Sequence, residues 1–274
     1  MSEPRVPSCD AEPSAAAAVY DRVIGASVER IWENVLDWEH LPYLHSQAFG
    51  DVRPLSTTSD GWRALIDLPG ARGTTEVEVT LERDRLRYVT ATVGGIGEGS
   101  RIITSLLAQG PSSTAIHVEF ILPWAPAEAA EKIGEAYRSL YHVLWDQDEE
   151  MMVRRQRLLD GGEPRVSETP VVLGQLEDVR RRLPFEVQTA GARVRIFEDD
   201  GQIRAADLLC PHLGGILKSA ASAGCELVCP WHGYRFDART GRSCDGRSLR
   251  LRPAPSVAVD GGRNVVLIMR GVAP

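Results

Sequence analysis

Cys210-Pro211-His212 and Cys229-Pro230-Trp231-His232 are the residues of this 274-residue chain with the plainest capacity for chemistry. Each group offers one thiolate and one imidazole, and residues 213–228 separate the two. Soft thiolates suit the iron of an iron–sulfide cluster, and two imidazoles can replace two thiolates on one of its irons. Two loops that each bring one Cys and one His can pinch a [2Fe–2S] cluster between them. Gly214, Gly215 and Gly233 let backbone N–H groups approach the sulfides, while Pro211 and Pro230 stiffen the loops. Zinc is the rival occupant of a Cys2His2 set, but zinc fingers pair Cys with Cys and His with His along the chain. A second candidate set lies between Trp32 and His45. His40 and His45 are five residues apart, which on one continuous helix turns them about 140° from each other. Pro42 stands between them and predicts a kink or an end to that helix, after which both rings can converge on one metal ion. The bland alternative is two surface or core histidines near a helix end.

Holding these groups takes two folded blocks. The pattern predicts a disordered tail over residues 1–15, rich in Pro, Ser and acidic residues, and a first domain over 16–160. A Gly- and Pro-containing linker follows over 161–170, then a second domain over 171–274. The first domain begins with a strand over Val19–Ile24 and a helix over Ser27–Asp37, with Val28, Ile31, Trp32 and Val35 on one face. Strands are expected over Gly61–Leu68, Thr74–Leu81, Leu86–Val93, Arg101–Leu107 and Ala115–Leu122. The alternation Thr75-Glu76-Val77-Glu78-Val79-Thr80-Leu81 is that of a strand with one wet face. A helix over Ala127–Leu159, on the order of 45 Å long, should present Ile133, Ala136, Leu140, Val143 and Leu144 as its apolar stripe. A curved antiparallel sheet gripping such a helix leaves a cavity suited to an apolar ligand. The second domain is strand-rich, with Ala192–Glu198 and Asn264–Met269 clearest and Asp199-Asp200-Gly201 as a hairpin turn. The fold class is thus α+β, a helix-grip domain followed by an all-β domain.

A net charge of −7 argues against a nucleic-acid surface, and no apolar run reaches the length of a membrane span. The first residues lack the basic start and apolar stretch of a signal peptide, which predicts a cytoplasmic protein. Five cysteines, an odd number, suit a reducing compartment, with Cys9, Cys225 and Cys244 expected to be ordinary thiols.

The Cys-Pro-His-Leu-Gly-Gly and Cys-Pro-Trp-His-Gly-Tyr motifs resemble the Rieske family over nearly the whole second domain. Some members carry two more cysteines that form a disulfide beside the cluster. Gly215 and Trp231 hold those places here, so the chain resembles the ferredoxin and oxygenase branch. The segment Glu33-Asn34-Val35-Leu36-Asp37-Trp38-Glu39-His40 through His45 resembles the iron-binding stretch of the aromatic-ring-hydroxylating Rieske oxygenases. That resemblance implies a mononuclear Fe(II) on His40, His45 and a carboxylate of the long helix. The carboxylate candidates are Asp146, Asp148, Glu149 and Glu150; the family's spacing favours Asp148, with Asp146 next. It also implies that Asp37 bridges a cluster histidine and an iron histidine as an electron-transfer link. His117 reads as structural, and His142 is a candidate to face the pocket. The chain departs from the family in its reversed domain order, its short catalytic domain and Leu213 where many members have Arg.

Two functions follow as expectations. The first is a Rieske non-haem iron oxygenase that uses O2 to hydroxylate a small apolar substrate, aromatic or alicyclic. Its electrons would come from NAD(P)H through a separate ferredoxin or flavin reductase, since the chain has no dinucleotide fingerprint. The resemblance further implies a homotrimer. The alternative is a Rieske ferredoxin-type electron carrier fused to a hydrophobic-ligand-binding helix-grip module.

Overall fold

The computed structural model of the chain describes residues 16–70, 72–161, 170–189, 191–220 and 226–268, which form two compact units that divide after Gln156. The expected tail, most of the expected linker, Cys9 and Cys225 lie outside the described residues.

In the first unit, seven strands form one antiparallel sheet. They are β1 (Ala18–Ile24), β2 (Val52–Thr58), β3 (Gly61–Leu68), β4 (Gly73–Glu82), β5 (Arg87–Gly95), β6 (Arg101–Gly110) and β7 (Ser113–Ile121). The order across the sheet is β1-β7-β6-β5-β4-β3-β2, so the meander from β2 to β7 is completed by the first strand. Two helices, α1 (Val28–Leu36) and α2 (Leu41–Leu44), connect β1 to β2, and the long α3 (Ala130–Leu159) follows β7. Alternation builds the sheet: on β4, Thr75, Val77, Val79 and Leu81 are buried while Glu78 and Thr80 are exposed. Ser27 caps α1 by accepting a hydrogen bond from the Arg30 N–H at 3.3 Å, and Val28, Ile31 and Trp32 turn inward. One core joins both helices to the sheet through Ile31, Trp32, Ile66, Val79, Phe120, Trp145 and Met152. This is the helix-grip architecture.

α3 packs on the sheet through a seam that the expected aliphatic stripe shares only at Ile133. Val143 and Leu140 are 44% and 39% exposed. Tyr137 and Tyr141 face the sheet instead, with ring centroids 5.6 and 4.8 Å from that of Phe120, and Trp145 and Met152 are buried beyond them. The aromatic rings supply the apolar seam. Gly134 lets the helix approach: a Cβ there would stand 2.6 Å from the Ala17 carbonyl oxygen and 2.7 Å from the Ala18 Cβ. α3 begins three residues later than expected, after a turn in which the Ala129 N–H donates to the Pro126 carbonyl.

The second unit is built from small antiparallel sheets. β9 (Phe185–Thr189), β10 (Ala192–Asp199) and β11 (Gln202–Asp207) form one; β12 (Lys218–Ser219), β13 (Glu226–Val228) and β14 (Arg235–Asp237) form another. β15 (Ser256–Val259) and β16 (Asn264–Ile268) complete a third with β8 (Val171–Gln175), which leads into a short helix, α4 (Leu176–Arg182). Asp200 and Gly201, at φ +49° and +73°, turn β10 into β11 as a two-residue hairpin with Asp199 opposite Gln202. Val194, Ile196 and Leu267 are fully buried in this unit's core.

Candidate metal centres

α1 ends at Asp37, before Pro42 is reached. A 3-10 turn over Trp38–His40 then redirects the chain, and Pro42 falls in the first turn of α2, where its missing N–H is no loss. The expected break is real, but Asp37 makes it and Pro42 starts the next helix. Trp62 on β3 donates from Nε1 to the Val35 carbonyl at 2.8 Å, satisfying one of the carbonyls the end of α1 leaves open. His40 and His45 thus flank α2, and their rings lie 5.0 Å apart at 77°. Both are buried, at 3% and 2% exposure. Each Nε2 faces one oxygen of Asp148: the distance to Oδ1 is 3.5 Å from His40 and 3.0 Å from His45. Among the described residues, one ligand atom from each of His40, His45 and Asp148 falls within 4.8 Å of the others. A set of two imidazoles and one carboxylate suits a divalent iron and leaves positions open for other ligands.

Neighbours orient these side chains. The His45 Nδ1 donates to Gln147 Oε1 at 2.7 Å, which directs the opposite nitrogen, Nε2, at Asp148. Asn34 Nδ2 donates to Asp148 Oδ1 at 3.1 Å. Burial disfavours an imidazolium at His45, but the charge and hydrogen bond of Asp148 outweigh it, and the ring's pKa stands above its usual value. Burial likewise disfavours a carboxylate at Asp148, yet His45, His40 and Asn34 hold its pKa below the usual range. Each group favours the charged form of the other, so a cation between them would take the place of a shared proton.

The other acidic residues of this stretch are spent elsewhere. Asp146 is exposed and paired with Arg22 at 2.5 Å. Glu149 reaches the same arginine and accepts the Gly25 N–H at 2.6 Å. Glu150 is exposed. Asp37 caps the end of α1, with Oδ2 3.7 Å from His40 Nδ1. His142, a candidate for the pocket, faces outward instead: its side chain is 64% exposed and Nδ1 lies 3.4 Å from the Tyr20 hydroxyl. Its helical position sits beyond the inward seam of Tyr141 and Trp145. His117 pairs with Asp21 at 2.7 Å.

His40, His45 and Asp148 line a cavity of about 620 Å³ between the sheet and α3. That volume is in the range of small-molecule sites. Trp62, Ile66, Val77, Val79, Ile102 and Trp145 supply apolar wall, and Ala136, Leu140 and Leu144 of α3 face the space. These last residues are the part of the expected stripe that meets a cavity in place of packed protein.

In the second unit, two loops have the same construction. The Cys210 N–H donates to the Gly215 carbonyl and the Gly214 N–H donates back to the Cys210 carbonyl. The Cys229 N–H donates to the Tyr234 carbonyl and the Gly233 N–H to the Cys229 carbonyl. Gly214 and Gly233, four residues after each cysteine, take φ of +82° and +67°, which glycine adopts without strain. Cys210 and Cys229 are both 1% exposed. The rings of His212 and His232 lie 4.5 Å apart, and Tyr234 packs 5.0 and 5.3 Å from them. A hydrogen bond between the two thiols favours the thiolate of Cys229, holding it below the usual thiol range, and pushes Cys210 up. A Cβ at Gly215 would stand 3.0 Å from Cys229 Sγ and from the Trp231 ring, so glycine is what lets the loops meet. Two thiolate-forming and two imidazole donors on paired loops fit a [2Fe–2S] cluster.

Twin Cys–His loops on small antiparallel sheets define an iron–sulfur protein of the Rieske class. The chain belongs to the Rieske [2Fe–2S] domain family, whose description matches residues 169–253. It is 32% identical over 81 residues to the ferredoxin component of a naphthalene 1,2-dioxygenase system from Pseudomonas aeruginosa, covering 29% of this chain and 77% of that protein. It is 31% identical over 68 residues to the oxygenase component of a 3-ketosteroid-9-alpha-monooxygenase from Rhodococcus rhodochrous. That match covers 24% of this chain but spans only 17% of the relative's length. A START superfamily protein from Mycobacterium smegmatis is 19% identical and covers 49% of this chain and 97% of its own, at a TM-score of 0.40. No helix among the described residues is long and apolar enough to cross a membrane.

Proposed function

We propose that the chain is a Rieske non-haem iron oxygenase: Cys210, His212, Cys229 and His232 hold the cluster, and His40, His45 and Asp148 hold a mononuclear Fe(II). The observation that carries this reading is the meeting of His40, His45 and Asp148 on the wall of a substrate-sized cavity. Iron bound there would supply the redox chemistry that activates O2 for hydroxylation of a small apolar substrate. The residues of the chain do the rest. Gln147 and Asn34 aim His45 and Asp148, and the apolar walls keep bulk water from the substrate. Asp37, with Oδ2 3.7 Å from His40 Nδ1, would orient that imidazole and is the residue to which the family resemblance gives the electron-transfer link. The cluster would take its electrons from NAD(P)H by way of a separate reductase, and this reading places the protein in the cytoplasm.

The similarity to a ferredoxin component, of which the chain covers 77%, favours a second reading. In it, the Rieske unit delivers electrons to another protein and the helix-grip unit binds an apolar ligand. The His40→Ala variant separates the two. Under the oxygenase reading it loses O2-dependent product formation with a generic reductase, while the visible spectrum of the cluster is unchanged. Full activity in that variant would overturn the iron assignment.

A further inference from the structure

The cavity has one cationic residue on its rim. Arg72 lines it from the hairpin between β3 and β4 and is exposed. Most arginines of this unit are tied to carboxylates, as in Arg22 with Asp146, Arg53 with Asp67, Arg63 with Glu76 and Arg87 with Glu82. Arg72 has no carboxylate partner among the described residues; its Nε donates to the Pro69 carbonyl at 2.7 Å. That bond fixes one edge of the guanidinium and leaves its two terminal nitrogens for another acceptor.

A chain of contacts places Arg72 toward the Tyr137 end of α3. A Cβ on the adjacent Gly73 would stand 2.6 Å from Ile96 Cδ1. Gly97, next to Ile96, faces Trp124, whose Nε1 donates to Ser100 Oγ at 2.7 Å. Tyr137 lines the same cavity as Trp124, and Ser100 partly offsets the rise that burial gives the Tyr137 pKa. Ile96 and Trp124 are 52% and 43% exposed, so this rim opens to water. Asp148, which His45 faces, stands further along α3, and from Ala136 to Asp148 the helix advances about 18 Å. The other charged lining residues, Asp37, His40, His45 and Asp148, belong to the metal end. Between the two ends the wall is mostly apolar, with Thr75 adding a buried hydroxyl that makes no hydrogen bond.

We propose that the cavity selects hydrophobic carboxylic acids, with the carboxylate held by Arg72 at the rim and the apolar body reaching along α3 toward His45 and Asp148. A guanidinium fork matches a carboxylate in shape and charge, and at a half-wet rim it binds the anion without the cost of full burial. The inference rests on the cavity being the ligand site of the reading above.

The test is direct binding, so it requires neither turnover nor the mononuclear iron. Pyrenebutyric acid and its neutral twin pyrenebutanol are titrated into the full-length protein, following the fluorescence of the probe and of the cavity tryptophans. The acid should bind about tenfold more tightly than the alcohol, the scale of one charge-assisted contact. Arg72→Gln should erase that difference and leave alcohol binding unchanged, which also shows that the variant is folded. Arg72→Lys should keep part of it. Equal affinity for the two probes in the unmodified protein, or an equal loss of both in Arg72→Gln, would overturn the proposal. If the iron assignment fails while the acid preference holds, the anion site stands on its own; if the preference fails, the oxygenase reading is untouched.

Discussion

His45 illustrates how much of the proposed metal site would lie outside its ligands. Its Nε2 faces Asp148, but the direction of the ring is set by the Gln147 amide oxygen at Nδ1. Gln147→Leu removes that acceptor and frees the ring to turn. The expected result is a 10–100-fold loss of Fe(II) affinity, the usual scale for such orienting partners, with the cluster absorption unaffected. Competition with a colourless chelator measures it, and an unchanged affinity would mean that packing alone holds His45. The sequence pointed to His40, His45 and a carboxylate of the long helix through a motif and a spacing, and the fold brings His40, His45 and Asp148 together; that they hold metal is the proposal above. Gln147 and Asn34 were not legible: glutamine and asparagine on helices carry no signal until the fold brings them to a partner. The spacing also left Asp146 and Asp148 open, and what separates them is Arg22, which holds Asp146 at the surface from a strand 124 residues away.

At the scale of elements, the strands with clean alternation were readable, and β4 is the clearest case. β2 was not. Its sequence, Val-Arg-Pro-Leu-Ser-Thr-Thr, is almost wholly exposed at the sheet edge and contains a proline, so it shows neither alternation nor apolar content. α3 was legible in existence but not in orientation, because aliphatic spacing marks a cavity wall and a packed seam alike. Gly134 decides the seam. In an exposed helix interior, Gly→Ala stabilises by about 1 kcal/mol. Here the added Cβ would meet the backbone at Ala17. Gly134→Ala should therefore destabilise the first unit, by about 1–3 kcal/mol as overpacking does, and lower its melting temperature. A raised melting temperature would show that α3 can shift away from β1 without cost.

At the scale of the whole molecule, one chain carries a Rieske unit and a cavity-bearing unit. The membership of the first unit's partner is set by motif density: Cys-x-His and Cys-x-x-His with glycines at matching offsets leave few other readings. In the helix-grip unit the motif from Glu33 to His45 marks the candidate site but not the fold, and the sheet and long helix were legible only through periodicity. Its function depends on whether it holds metal, and the most direct measurement is the iron and acid-labile sulfide content of anaerobically purified protein. The account predicts about three irons and two sulfides per chain, a cluster plus one mononuclear site. About two irons and two sulfides, unchanged after Fe(II) is added, would contradict it and leave an electron carrier joined to a ligand-binding module.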